Sequence, residues 1–366
     1  MADRVALLIG TRKGAFIAES DAARRDWTVR GPMLQGQNVM HMTHDPRDGA
    51  LLAAVGDPWF GSRVYRSTDF GETWVDPQSG PTFPADLAQA GRTVEKIWHV
   101  QPGRPEEPGV LYAGIEPAAL FKSTDLGASW DLVRALEEHP TRAEWMPAQG
   151  GLCLHSIVLD PHDVQHLYVG ISAAGTFESR DGGAHWQPAN QGTRVNFLPD
   201  QPPTYADYGQ CVHKLANAPA RPGRIYQQSH CGIYRSDDNA ASWTEITEGL
   251  PSDFGFGIVA SPNDPDTIWV CPSISGYEHW MPGARVVVYR SRDAGAHWEA
   301  LDSGLPGEGA YLNVLREGIA VDAMPTAGVY IGTNTGQLFA SNDEGDHWQA
   351  VPAFFPPISS VTAVTR

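Results

Sequence analysis

The sequence predicts an all-β chain of one domain, residues 1–366, folded as a seven-bladed β-propeller of four-stranded antiparallel blades. Three observations lead there: a short motif that returns at near-constant spacing, similar strand-length runs between its copies, and no sustained helical period.

The motif is Ser-x-Asp-x-Gly-x-x-Trp, and it stands at 67–74, 123–130, 179–186, 291–298 and 341–348. The copy at 236–243 carries Ala240 in place of Gly, which predicts a reshaped turn. A worn copy at 20–27 has Ala22 for the Asp and Arg24 for the Gly. Successive motif tryptophans lie 47, 56, 56, 57, 55 and 50 residues apart, so one unit is a stretch of strands between like turns. In the fourth unit the runs 155–160, 166–171, 175–179 and the one from Trp186 are short and rich in β-branched and aromatic residues. Gly, Pro and Asp bound them, which reads as four strands, A to D. The motif is then the C–D turn. Gly supplies left-handed backbone, Asp accepts hydrogen bonds from turn amides, and Trp wedges between neighbouring sheets.

The chain opens on a B-like run, 5–9, with no A-like run before it, while 359–365 is a strand without a successor. The C-terminal strand is therefore expected to complete the first blade and close the ring, which removes most exposed sheet edge.

Composition narrows the function. Lys plus Arg number 26 against 43 Asp plus Glu, a formal charge of −17, so neither nucleic acid nor an anionic membrane is an expected partner. The N-terminal apolar run is too short for a signal peptide, and no apolar stretch is long enough to span a membrane. The expected location is the cytoplasm, where the four cysteines are free thiols or metal ligands.

The motif copies resemble the Asp-box, or BNR, repeat of sialidases, sortilin-type receptors, xyloglucan hydrolases and a photosystem II assembly factor. The whole chain is similar to bacterial cytoplasmic proteins described as sialidase-like or glycosyl hydrolase BNR-repeat proteins. The resemblance implies the propeller fold; the repeat itself is structural. A sialidase would further imply an Arg-Ile-Pro-like motif near the N-terminus and a tyrosine nucleophile activated by Glu. Here the N-terminus reads Thr11-Arg12-Lys13-Gly14, and Tyr205, Tyr208, Tyr277 and Tyr311 have no recognisable Glu partner. Classical sialidase chemistry is not expected.

In a four-strand meander the A–B and C–D turns share one end. The other end collects the long connections, 75–93, 131–153, 187–211 and 299–314 between blades and 56–63 and 272–285 within them. Function is expected over that end. Trp59, Trp145 and Trp280 fall there as stacking platforms for a small-molecule substrate, or as packing for the loops themselves. Lys96, Lys214 and Arg316, near inner-strand starts, suit an anionic group or a salt-bridged rim.

His41, His99, His155 and His213 recur near inner-strand starts, 58, 56 and 58 residues apart, and His230 lies in a B–C turn of the same end. With Cys153, Cys211 and Cys231 beside them, they form a candidate site for a divalent transition metal, Zn, Fe or Cu. Counted back from the A–B turn proline, only His155 and His213 are equivalent; His41 and His99 need a bulge or a different turn length. The alternative is a hydrogen-bonded channel lining. His44, His162, His166, His185, His297 and His347 are expected at turns or on the surface.

Glu116 and Glu317 are the candidate acid/base residues. The leading expectation is a small-molecule enzyme, a metal-dependent hydrolase, lyase or oxygenase with its site at the long-loop mouth. One alternative is a BNR-type glycoside hydrolase using paired carboxylates, for which Glu95, Glu116, Glu144, Asp207 and Glu317 are in reach. The other is a non-enzymatic binding or assembly scaffold with an exposed apolar patch. No rim stretch is apolar for more than a few residues, which favours the small-molecule reading.

Overall fold

The structure, a computed structural model, describes residues 4–57, 61–197 and 202–366. Strands dominate. Helix among the described residues is confined to Ala85–Gln89, Arg134–Glu137 and the 3-10 turns Arg142–Glu144 and Pro282–Ala284, all in the long connections. No helix among them is long and apolar enough to cross a membrane.

Four sheets are four-stranded antiparallel meanders in chain order. Their innermost strands are Lys96–Pro102, Leu154–Leu159, Val212–Asn217 and Gly255–Ala260. A fifth sheet holds Asn38–His44, Leu51–Asp57 and Gly61–Ser67, with Val75 bridged to Arg66 where a short fourth strand would lie. The remaining eight strands form one sheet of two meanders, joined by a single parallel pair, Glu317 with Ser360. In it Ile358–Thr365 runs antiparallel to Arg4–Thr11. The chain is thus all-β, and apolar clusters fill the space between adjoining sheets. One joins Leu52 and Ala54 to Val100, Leu111 and Phe121; another joins Val110 and Leu120 to Val169 and Phe177.

The repeated turn has the same hydrogen bonds in all six clear copies. Ser67 Oγ donates to Asp69 Oδ1 at 2.8 Å and accepts the Gly71 amide at 2.8 Å, while Asp69 Oδ1 accepts the Thr73 amide at 2.9 Å. In the fifth unit Ala240 donates its amide to Ser236 Oγ at 2.9 Å, so the expected reshaping does not occur. The Ala instead adopts the left-handed backbone, φ +62°, at a cost of roughly 1–2 kcal/mol. Its neighbours' side-chain bonds hold it there.

The inner strands explain the histidine spacing. Each of four carries a bulge, with register shifts between Val39 and His41, Ile97 and His99, Leu154 and Ser156, and Val212 and Lys214. Met40, Trp98, His155 and His213 are the extra residues, and His41, His99, Ser156 and Lys214 follow them. The four histidines therefore occupy two different register positions and do not form one ring. A one-residue change in position redirects a strand side chain, which divides the set in two.

Candidate functional site

The bulged histidines tie each inner strand to the next. His155 Nε2–H donates to the Val212 carbonyl at 2.8 Å, and His213 Nδ1–H donates to the Gly255 carbonyl at 2.5 Å. The following position does the same with an acceptor: His41 Nδ1 accepts the Val100 amide at 3.3 Å, and Ser156 Oγ accepts the Leu215 amide at 3.2 Å. Burial holds the imidazoles of His41, His155 and His213 well below their ordinary value, which favours the neutral form of each.

At the second register position a buried charge network forms. Glu317, from Val314–Val321, accepts from His99 Nδ1 at 3.2 Å, lies 3.9 Å from His41 Nε2, and is ion-paired with Lys214. The His41 and His99 rings stack at 4.2 Å. Burial opposes the Glu317 charge, but the Lys214 ammonium and the His99 bond hold the carboxyl well below the usual range. His99 Nε2 is buried and finds no hydrogen-bond partner among the described residues. Lys214, expected as an anchor for a ligand anion, is spent on Glu317.

Glu116 ends the strand Leu111–Glu116 and accepts from Lys96 Nζ at 3.1 Å and from Trp98 Nε1 at 3.0 Å. A Cβ at residue 151, where φ is +95°, would stand 2.0 Å from Glu116 Oε1, so this approach requires Gly151. Arg316 lies over the faces of Trp98 and Phe256, 5.5 and 5.3 Å from the ring centroids. Both predicted acid/base residues are therefore already paired with a lysine.

A cavity of about 880 Å3 lies at the long-loop end, with none of these groups in its lining. Loops 131–153, 187–211 and 272–285 supply Glu144, Met146, Gln149, Arg194, Asn196, Phe197, Ile274 and Tyr277, and the next sheet start adds Asp253 and Phe254. Cys211, His230 and Cys231 also line it. Glu144 accepts the Tyr208 hydroxyl at 2.5 Å, and Asp253 lies 3.3 Å from Arg194 Nη2. Met146, Phe197, Ile274 and Tyr277 are exposed on the rim, Tyr277 by 84%. The apolar patch that no single stretch of sequence offered is assembled from three separate loops.

The metal candidates divide accordingly. His41 and His99 meet Glu317, and His213 and His230 meet Cys211, each set with ligand atoms within 4.8 Å of one another. His155 joins neither. Its Nε2 is used by Val212, and its Nδ1 lies 3.3 Å from Ser156 Oγ. Burial pushes the Cys211 thiol up, and those of Cys153 and Cys231 up to about 12.

Of the stacking platforms, Trp59 lies outside the described residues. Trp145 is only 5% exposed; its ring packs on Phe177 and His139 and its Nε1 donates to Thr141 Oγ1, so it cores the loop instead of presenting a face. Trp280 is half-buried, edge-on to Tyr311, and outside the cavity lining. His166 departs from its expected turn position: it is buried, 2.7 Å from Glu178 and 3.3 Å from Asp160. His185, His297 and His347 are exposed in their turns, as the motif position implies. Sequence reading missed Arg194, Asp253, Phe254, Met146 and Phe197. The long loops that carry most of them were the available signal.

No protein-family model matches the chain. It is 26% identical over 299 residues to a xyloglucanase of a Paenibacillus species, an alignment covering 75% of this chain and 26% of that protein. An ancestral GH74 enzyme superposes with a TM-score of 0.59 at 18% identity, covering 85% of this chain and 38% of that one. Ycf48 bound to a D1 peptide superposes with a TM-score of 0.54 at 14% identity, covering 86% and 80%. The chain spans about a quarter to a third of the length of the curated relatives it matches. What it shares with the solved structures is the β-propeller fold.

Proposed function

We propose that this chain is a glycoside hydrolase-like propeller that takes a neutral oligosaccharide into the cavity at its long-loop end. Its architecture is read as one ring of seven Asp-box blades, with Ile358–Thr365 completing the first blade beside Arg4–Thr11. The observation that carries the functional reading is the lining of the cavity of about 880 Å3: exposed aromatic rings at Phe197 and Tyr277, amides at Gln149 and Asn196, and two carboxylates, Glu144 and Asp253. A sugar offers apolar C–H faces to rings and hydroxyls to fixed polar groups, which is the mixture found here. Similarity to a xyloglucanase over 75% of the chain supports the same class.

Hydrolysis of a glycosidic bond needs two carboxyl groups flanking it. We assign Glu144 and Asp253 to that pair in preference to Glu116 and Glu317, because Glu144 and Asp253 line the cavity and the other two do not. Incubation with xyloglucan oligosaccharides and other neutral glucans, with reducing ends counted, tests this. The expected result is cleavage that falls about 100-fold or more in Glu144→Gln and in Asp253→Asn while binding persists. Absence of both cleavage and binding across the panel would remove the reading.

A second reading is favoured by the exposed rim. Met146, Phe197, Ile274 and Tyr277 form an apolar border suited to a peptide segment. In that case the same cavity receives a protein partner and no glycan competes with it.

A further inference from the structure

The cavity wall carries a group of side chains that carbohydrate binding does not use. Cys211 immediately precedes Val212–Asn217, His213 is the bulged residue of that strand, and His230 lies in the next turn of the same sheet. Cys211 Sγ stands 3.5 Å from His213 Nε2, and one ligand atom from each of the three residues falls within 4.8 Å of the others. Zinc bonds of about 2.3 Å to sulfur and 2.0–2.1 Å to nitrogen, at a tetrahedral angle, put those two atoms ~3.6 Å apart. The observed separation fits without movement.

The two imidazoles are also held in position. His213 Nδ1–H donates to the Gly255 carbonyl, which fixes the tautomer and leaves the Nε2 lone pair facing Cys211. The His213 ring is stacked on Phe256 at 4.9 Å, and both His213 and His230 meet Phe254 edge-on, so the two imidazoles are held by apolar walls. Burial resists a free Cys211 thiolate while the nearby Arg316 charge favours it. The other group of ligating type among the described residues, His41, His99 and Glu317, is less suited, because the Lys214 ammonium already neutralises its carboxylate.

We propose that Cys211, His213 and His230 bind a transition-metal dication, with zinc the fitting ion, as a three-ligand site at the wall of the cavity. Cys211 and His230 both line the cavity, so the fourth position opens into it and takes water or a ligand oxygen. Binding exchanges the thiol proton for a sulfur–metal bond, releasing one proton to solvent. This site stands independently of what else fills the cavity.

The test uses the full chain, prepared without a histidine tag, stripped by chelation and titrated with Co(II). Saturation at about one ion per chain is expected, with a thiolate-to-cobalt charge-transfer band and the strong visible bands of tetrahedral cobalt, both displaced by Zn(II). Cys211→Ser should abolish the charge-transfer band, and His213→Ala and His230→Ala should weaken binding about tenfold or more. His41→Ala should leave Co(II) binding unchanged. Far-UV circular dichroism of each variant separates loss of a ligand from loss of fold; should His213→Ala unfold, Cys211→Ser and His230→Ala decide. No saturable binding, a band that survives Cys211→Ser, or one that His41→Ala removes overturns the proposal.

Discussion

Replacing Lys214 with Met leaves the Glu317 carboxylate in a site where both side chains are only 13% exposed, so solvent screens little of the loss. Breaking a buried pair by removing one partner costs about 3–5 kcal/mol. His99 keeps its 3.2 Å bond to Glu317, which places the expected cost near the low end, about 3 kcal/mol. Unfolding entropy of ~2.1 cal/mol/K per residue gives roughly 0.77 kcal/mol/K for this length, so the melting temperature at pH 7.5 should fall by about 4 °C. Glu317 titrates below its ordinary value in the fold, so its stabilisation is present above the unfolded pKa and is lost as pH falls through the folded one. Without Lys214 the folded value rises, and acid destabilisation begins at higher pH than in the wild type. Differential scanning fluorimetry from pH 4 to 8 reads both effects. The variant Lys214→Met/Glu317→Gln, which removes the stranded charge, should recover part of the loss. A Lys214→Met melting temperature within about 1 °C of wild type, or a double variant no better than the single one, refutes the reasoning.

Ser291→Ala removes the acceptor for the buried Gly295 amide and the donor to Asp293 Oδ1, and should cost about 1–3 kcal/mol, a fall of roughly 1–4 °C by the same scan. An unchanged melting temperature would mean that the turn is held by its backbone alone. Trp145→Ala should cost about 3–5 kcal/mol, because the ring is the core of its loop. A variant of wild-type stability that loses only ligand affinity would restore Trp145 as a binding platform.

Legibility in the sequence followed the range of each interaction. The repeated turns were readable because Ser, Asp and Gly satisfy one another within five residues, as Ser123, Asp125 and Gly127 do. The same closure explains why Ala240 keeps the turn: Ser236 and Asp238 supply the bonds, and a methyl group adds strain without blocking them. The pairing of the first and last strands was readable from a missing run at one end and a surplus run at the other. The histidines were found, and the distance to the turn proline already set His155 and His213 apart from His41 and His99, the division that the pairing shows. What the spacing did not show is that the strands of His155 and His213 are bulged as well, because a bulge is set by backbone pairing. Trp145 was left open between platform and loop packing, and His166 was misplaced, because their burial depends on Phe177 and Glu178, which reach them only after the sheet has formed. The cavity was least legible, since its lining comes from loops of different sheets whose convergence is a property of the whole arrangement.

The central claim is that a neutral oligosaccharide occupies this cavity, and calorimetric titration of xyloglucan oligosaccharides into the wild type and into Tyr277→Ala tests it most directly. Tyr277 is exposed, so its removal should leave the melting temperature unchanged. Loss of one stacking face, about 1.4 kcal/mol, should weaken saturable binding about tenfold. No saturable heat with the wild type, or equal affinity in the two proteins, would contradict the account.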